Sequence, residues 1–308
     1  MLMFADRRHG LKPMAALHHR TRRIYSHAIP MLLLPAGALL VAASGGRWEK
    51  TFESIPNPRI SIGNPAGGPV IVRGWDKLRV HAVCLTASSK IEVDCDQTPA
   101  AGEIEKLHFV THVLDSRAAS DEETATYELD IPNGATLDVN NPQGNVTVQG
   151  LNGEVWIDSV TGKISVIDSG GRVNARSLNG DIELVRPSGR IEATSVMGNL
   201  RFIASTSPMI RAQATGSGNI IFDGEFESTG DYLLGSYRGD VDVTCAPTDS
   251  FEIRARTVRG KLDNQMKVSR NSHWKFFEGE GLVGSHNEGD ATVELKSYSG
   301  TIHVRPRS

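Results

Sequence analysis

From Gly144 onward, glycine recurs every nine residues: Gly144, Gly153, Gly162, Gly171, Gly180, Gly189 and Gly198. A unit this short cannot bury a core of its own, so a fixed repeat of this length forces neighbouring units to stack. The residues between the glycines alternate. Two places after each glycine stand Val146, Val155, Ile164, Val173, Ile182, Ile191 and Leu200, and four places after stand Val148, Ile157, Val166, Ala175, Leu184, Ala193 and Phe202. The positions one and three after are polar, with Trp156 the exception. Alternation with period two puts one side of a short strand in a core and the other in water. The glycines are expected to give the backbone freedom that the intervening turns need.

A longer period lies inside the first. Ser159, Ser177 and Ser195 precede every second glycine by three, eighteen residues apart. Val148, Val166, Leu184 and Phe202 are large where Ala175 and Ala193 on the alternate strands are small, which lets two facing sheets interdigitate. The motif continues more loosely at Thr215/Gly218, Ser236/Gly239, Thr257/Gly260 and Ser297/Gly300. The pattern predicts an all-β chain: a β-solenoid, β-helix-like, with turns of roughly 18–21 residues stacked at about the 4.8 Å strand spacing. The solenoid is expected over residues 140–305. Residues 263–290 break the rhythm and read as an inserted loop or hairpin. Residues 59–139 also read as strands, with a polar loop from Asp115 to Thr124, and would form an N-terminal β cap over an otherwise open end.

Residues 1–44 read as an address. Six bases and one acid precede or flank an apolar run from Ala28 to Ala43, followed by small residues. That order matches a secretory signal, with Met14 an alternative start; the same segment left uncut would be an N-terminal anchor and the chain's only route to a membrane. Export to the periplasm, cell envelope or exterior follows from either. Removing those six bases and one acid from 33 bases and 36 acids leaves a body of about −8. An acidic body is a poor match for nucleic acid, whose binding rests on neutralised phosphates.

Three cysteines occur. Cys84 and Cys95 fall on neighbouring predicted strands and could bridge in an oxidising compartment; each also fits as a small buried apolar residue. No CxxC is present.

The stretch Tyr127-Glu-Leu129-Asp-Ile131-Pro132-Asn-Gly134-Ala-Thr-Leu137-Asp-Val139, the blocks such as Ser177-Leu-Asn-Gly180-Asp-Ile182-Glu-Leu184, and the ending Ser297-Tyr-Ser-Gly300-Thr-Ile302-His-Val304 together resemble the bacterial putative-adhesin family, domain of unknown function 4097. The resemblance runs over about residues 59–305 and implies an envelope or surface protein. It brings no catalytic residues with it.

Signals for chemistry are weak. A calcium β-roll needs paired glycines and an aspartate in every turn, and here each turn has one glycine. Polysaccharide-cleaving β-helices need carboxylates converging in a cleft. The outward acids Glu183, Glu192, Asp240 and Asp242 read instead as solvated rows, with Glu183 beside Arg201 in the eighteen-residue register. His108 and His112 share a face without a third ligand near in sequence. The expectation is a non-catalytic, cofactor-free envelope protein, structural or adhesin-like, with lateral faces suited to a repetitive partner such as an envelope glycan or another envelope protein. The alternatives are a β-helix carbohydrate-active enzyme and a self-assembling scaffold. For the enzyme, Asp263, Lys267, Arg270, His273, Glu278, Glu280 and His286 in the insertion are the place to look.

Overall fold

The computed structural model describes residues 46–114, 124–275 and 279–307, with side chains throughout except at 270–275. The leader, the polar stretch 115–123, and Phe276, Phe277 and Glu278 lie outside the described residues. Every regular element among the described residues is a β-strand, 24 in all, in a solenoid-like arrangement.

In the middle of the chain, strands alternate between two facing sheets, and each pairs in parallel with the strand two before it and two after it. The first sheet carries β8 (Val146–Gln149), β10 (Ile164–Ile167), β12 (Ile182–Val185), β14 (Leu200–Ser205), β16 (Ile220–Gly224) and β18 (Val241–Cys245). The second carries β9 (Val155–Ser159), β11 (Val173–Ser177), β13 (Arg190–Ser195), β15 (Met209–Ala214) and β17 (Asp231–Ser236). Ile164 lies between Val146 and Ile182, and Ile182 beside Leu200. The alternation sets the faces: Ile182 and Leu184 are 0% exposed, while Asp181 and Glu183 are only partly covered.

Two devices hold the turns in register. At Ser195, Ser236, Thr257 and Ser297 the motif hydroxyl accepts a hydrogen bond from its own turn's glycine N–H and donates to the glycine carbonyl of the adjoining rung, whereas Ser159 donates to Thr161 O. Ser236 Oγ does so with Gly239 N and Gly218 O, both at 2.8 Å, and Ser297 Oγ with Gly300 N and Gly239 O. Outward residues after the glycine form a second ladder: Asn199 N donates to Asp181 Oδ1, Asn219 N to Asn199 Oδ1 and Asp240 N to Asn219 Oδ1. In a stack of short strands each rung would otherwise leave turn amides without partners.

The role of the glycines differs from the sequence expectation. Of Gly144, Gly153, Gly162, Gly171, Gly180, Gly189, Gly198, Gly218, Gly239, Gly260 and Gly300, only Gly144 and Gly162 have positive φ. The others are required by close approach: a Cβ at Gly180 would overlap the carbonyl oxygen of Gly162, and one at Gly198 that of Gly180. The motif assignment at Thr215 also shifts by one. Ala214 stands beside both Ser195 and Ser236, so the turn to Gly218 has an extra residue and Thr215 projects where Val196 and Tyr237 do.

Both ends of the described stack depart from chain order. Near the start, β1 (Arg47–Gly63) first runs antiparallel to β3 (Arg79–Thr86), then crosses to lie between β5 (Ile104–Val113) and β7 (Thr136–Asn140). β2 (Val70–Trp75) lies between β6 (Ala125–Pro132) and β8. Strand structure therefore begins at Arg47 rather than near residue 59. At the other end, β23 (Ala291–Ser297) inserts between β17 and β19 (Phe251–Thr257), and β24 (Ile302–Pro306) between β18 and β20 (Leu262–Asn264). The last rung in sequence is thus the second-last in space. The insertion forms β21 (Ser269–Lys275) and β22 (Glu280–His286), an antiparallel pair laid against β19. It extends the second sheet, so of the two expectations for this segment, a loop or a hairpin, it is the hairpin that forms.

Candidate binding groove on the lateral face

One corner of the stack collects most of the exposed apolar side chains. Val160, Leu178, Met197, Tyr237 and Val258 all belong to the turn between motif serine and glycine; of the large exposed hydrophobics among the described residues, only Leu78 and Leu114 lie elsewhere. Their alignment follows from the backbone: Leu178 N donates to Ser159 O, Tyr237 N to Ala214 O, Tyr298 N to Ser236 O and Val258 N to Ser297 O. The first turn residue therefore runs, in space, Val160, Leu178, Val196, Thr215, Tyr237, Tyr298, Val258. A run of apolar side chains along one edge is more than the single scattered exposures ordinary surfaces carry.

Two aromatic rings meet on this edge. Tyr237 and Tyr298 stack with centroids 5.0 Å apart and planes 10° from parallel. The Arg238 guanidinium lies 5.8 Å from the Tyr237 centroid, and that of Arg259 5.6 Å from the Tyr298 centroid. Tyr298 covers one face of Tyr237. The preceding rung sets the small residues Thr215 and Gly216 beside it. There the surface sinks into a concavity of about 320 Å³, lined by Gln213, Thr215, Leu233, Gly235, Tyr237 and Lys296, with the backbone of Ala214 and Ser236. Gly235 creates its floor: it stands between Gln213 and Lys296 in an outward column where neighbouring strands carry side chains. A second concavity of about 230 Å³ adjoins it across Lys296, with Arg254, Arg256, Val283 and Glu294 on its walls. Lys296 Nζ pairs with Glu294 at 2.8 Å, both more than 40% exposed, so this ion pair is weak and opens readily.

Of these groove side chains the sequence singled out only Thr215, and that as a turn residue. The signal available was the residue after the motif serine, apolar in every rung but one. The adjacency of Tyr237 and Tyr298 was not available, since it depends on the out-of-order last rung.

Residues singled out from sequence have structural surroundings. Cys84 lies in β3 beside Trp48 and Tyr127, and Cys95 in β4 (Ile91–Thr98) beside Phe109. The two strands are consecutive in the chain and belong to opposite sheets, and both thiols are free. Burial pushes the Cys84 thiol far up and that of Cys95 up to about 12, which makes both inert as nucleophiles at neutral pH. His108 meets Ser61 Oγ, and His112 Nε2 pairs with Asp94 at 3.1 Å. No cluster of three or more metal-binding side chains occurs among the described residues. Glu183 stands beside Arg201 in register and pairs at 2.7 Å with Lys163 of the preceding rung. In the insertion, Asp263 meets His303, Glu280 accepts from Leu262 N, and both ring nitrogens of the buried His286 contact carbonyl oxygens, of Lys267 and Pro247. Glu278 and the side chains of Arg270 and His273 lie outside the described residues.

No protein-family model matches the chain, including any for the adhesin-like family it resembles, and no curated protein matches it. Among solved structures it is similar to a putative cell adhesion protein from Clostridium sporogenes, at 9% identity over 86% of this chain and 100% of that one, with a TM-score of 0.32. It is likewise similar to a putative adhesin from Bacteroides fragilis, at 11% identity over 85% and 97%, with a TM-score of 0.39. Likenesses this distant bring neither a family nor a ligand to this chain.

Proposed function

We propose that the protein is an exported, non-catalytic, adhesin-like component of the cell envelope that binds its partner along the lateral face of a rigid β stack. The stack is a solenoid with turns of roughly 18–21 residues, residues 47–139 close its first end, and its repeat resembles that of the adhesin-like envelope family. The observation that carries this reading is the apolar edge from Val160 to Val258, with a groove beside its widest aromatic step. A repetitive scaffold holds such groups at fixed spacing, and fixed spacing suits an extended partner. Polysaccharide cleavage is disfavoured at this groove because hydrolysis needs two carboxyl groups facing one bond, and the residues lining the concavity beside Tyr237 include none. Self-assembly through the ends is disfavoured by their edges. β20 has three residues, β21 carries a register shift, and β4 carries Glu92, Asp94 and Asp96. Short, irregular or charged edges resist pairing.

The test is an array of envelope glycans, peptidoglycan and envelope proteins, probed with the protein and with Tyr237→Ala. Binding lost in that variant but kept in Glu105→Ala, remote on β5, supports the reading. Binding indifferent to every substitution on the lateral face, or turnover of any polysaccharide, contradicts it.

A further inference from the structure

We infer that the apolar edge is the docking strip for a second copy of this chain, set side by side and in parallel about a two-fold axis that runs along the stack, with Arg176 of each protomer against Asp181 of the other. The inference rests on the lateral-face reading and names the partner for it.

The spacing selects another β stack. From Val160 to Val258 the first turn residues rise one rung at a time, about 4.8 Å each, so the strip spans roughly 29 Å. An extended peptide presents same-side residues about every 6.8 Å, and a helix completes a turn every 5.4 Å or so. The first falls out of step at once, and the second is half a step out after about four rungs. Another ladder of β rungs stays in step along the whole strip. Val160, Leu178, Met197, Tyr237 and Val258, each at least 40% exposed, then meet apolar neighbours at their own level. No free ring face is needed at Tyr237, whose ring is stacked on Tyr298 and has the Arg238 guanidinium over it; the contact is side by side.

The flanking charges select this chain and fix its direction. Arg176 precedes the motif serine on the second sheet and Asp181 follows the glycine before the first, so the two stand on opposite flanks of the Leu178 turn. Neither has an ion pair among the described residues. Arg176 lies beside Asp158 in register without pairing with it, and Asp181 Oδ1 accepts from the backbone and side-chain amides of Asn199. A two-fold axis along the stack lays the second sheet of one protomer beside the first sheet of the other at equal height. Arg176 and Asp181 then meet across the axis, and by symmetry they meet twice. One rung away Asp158, also without an ion pair among the described residues, faces Lys163, whose own-chain partner is Glu183 at 2.7 Å. An antiparallel pair would set like sheets side by side, where Arg176 and Asp181 cannot meet. The charge match stops at the far end: Lys261 and Arg256 flank the Val258 turn as two bases, and Arg256 is already engaged within its own chain. A strip this long and one turn wide buries less than the roughly 1,200 Å² of stable complexes, so the dimer is weak and reversible.

The experiment is sedimentation velocity of the full chain from about 5 µM to about 0.5 mM, the range in which an interface of this size dissociates. The expected result is a reversible monomer–dimer equilibrium. Arg176→Glu and Asp181→Lys each set like charges opposite one another twice and should weaken the dimer roughly tenfold or more. An equimolar mixture of these two variants should recover the association of the parent, because both contacts of the mixed dimer then pair opposite charges. Leu178→Asp should abolish association. Asp181→Asn keeps an acceptor for Asn199, as Asn199 is for Asn219, so it leaves the turn ladder whole and should still weaken the dimer about threefold. A chain that is monomeric throughout the range overturns the inference. So does a dimer that ignores these substitutions, or a mixture that associates no better than its components. If the chain is monomeric but an envelope glycan or envelope protein binds and Tyr237→Ala abolishes that, the second-copy inference fails while the lateral-face reading stands. If neither self-association nor any partner on the array depends on the lateral face, both fail.

Discussion

The middle of the molecule, residues 146–205, and its C-terminal third, residues 231–306, use the same rung to different ends. In the middle, chain order is spatial order, and Ile164, Ile182 and Leu200 follow one another up the first sheet. Each column there repeats one kind of side chain, as Ile167, Val185 and Ile203 do, and one rung looks much like the next. In the C-terminal third the last rung slips between two earlier ones, which sets Tyr298 beside Tyr237 and Lys296 beside Gly235. Its interior is also less uniform: Phe226 folds in from a turn to pack against Phe222, Tyr232 and Phe251. Repetition makes a scaffold, because it places similar groups at equal steps. A site needs dissimilar groups close together, and here it arises where the repetition is broken.

The strongest way to break this comparison is to put a charge into the regular core. Leu184→Asp should destabilise the protein by about 4 kcal/mol, since it buries an unpaired carboxylate at a position 0% exposed. Glu183→Ala, one residue away on the outer face, should cost less than about 1 kcal/mol. Equal melting temperatures for the two would mean that the faces are exchanged by a one-residue slip.

Gly180→Ala should cost roughly 2–3 kcal/mol by overpacking, because its Cβ meets the Gly162 carbonyl, which is backbone and cannot rotate away. Gly235→Ala in the groove, where the nearest atom is 3.9 Å off, should be within about 0.5 kcal/mol of the parent in denaturant titrations. That contrast separates glycines that close the stack from the one that opens the site.

Ser236→Ala should cost about 1–2 kcal/mol, as it leaves a buried amide and a buried carbonyl each one partner short. Position 214 already holds alanine in the serine's place. A serine there should therefore gain less than Ser236→Ala loses, as read from the same titrations.

The smallest effect concerns Asp249, whose carboxylate accepts from Phe226 N and Ala246 N and whose pKa burial raises. A raised folded-state pKa means the folded form holds its proton longer. This group therefore favours folding in acid and loses that contribution as pH rises through and just above the ordinary carboxylate range. Asp249→Asn should remove that slope from the melting temperature; an unchanged slope assigns it to other groups.

Much of this was legible in the sequence. The inward residues from Val146 to Phe202 and the strand pairs of the middle follow from nine- and eighteen-residue periods that each chemical position obeys. The glycines were legible as positions but not in their cause, since a neighbour's carbonyl is invisible until rungs are stacked. Chain order at both ends was not legible either. The motif at Gly260 and Gly300 is equally good in sequence, and nothing local says which rung lies next to Gly239. The groove depends on that ordering, so its residues stayed hidden although Tyr237 and Tyr298 occupy the same place in the repeat.

The order of the last rungs is the claim on which the site depends, and engineered disulfides test it directly. Starting from a background with Cys84, Cys95 and Cys245 replaced by alanine, one variant carries Tyr237→Cys with Tyr298→Cys and another Tyr237→Cys with Val258→Cys. Adjacent rungs stand about 4.8 Å apart and alternate rungs about twice that, while a disulfide spans at most roughly 7 Å between Cα atoms. The account predicts rapid oxidative bridging of 237 to 298 and none of 237 to 258. Bridging of 237 to 258 with none to 298 would place the rungs in chain order and contradict it.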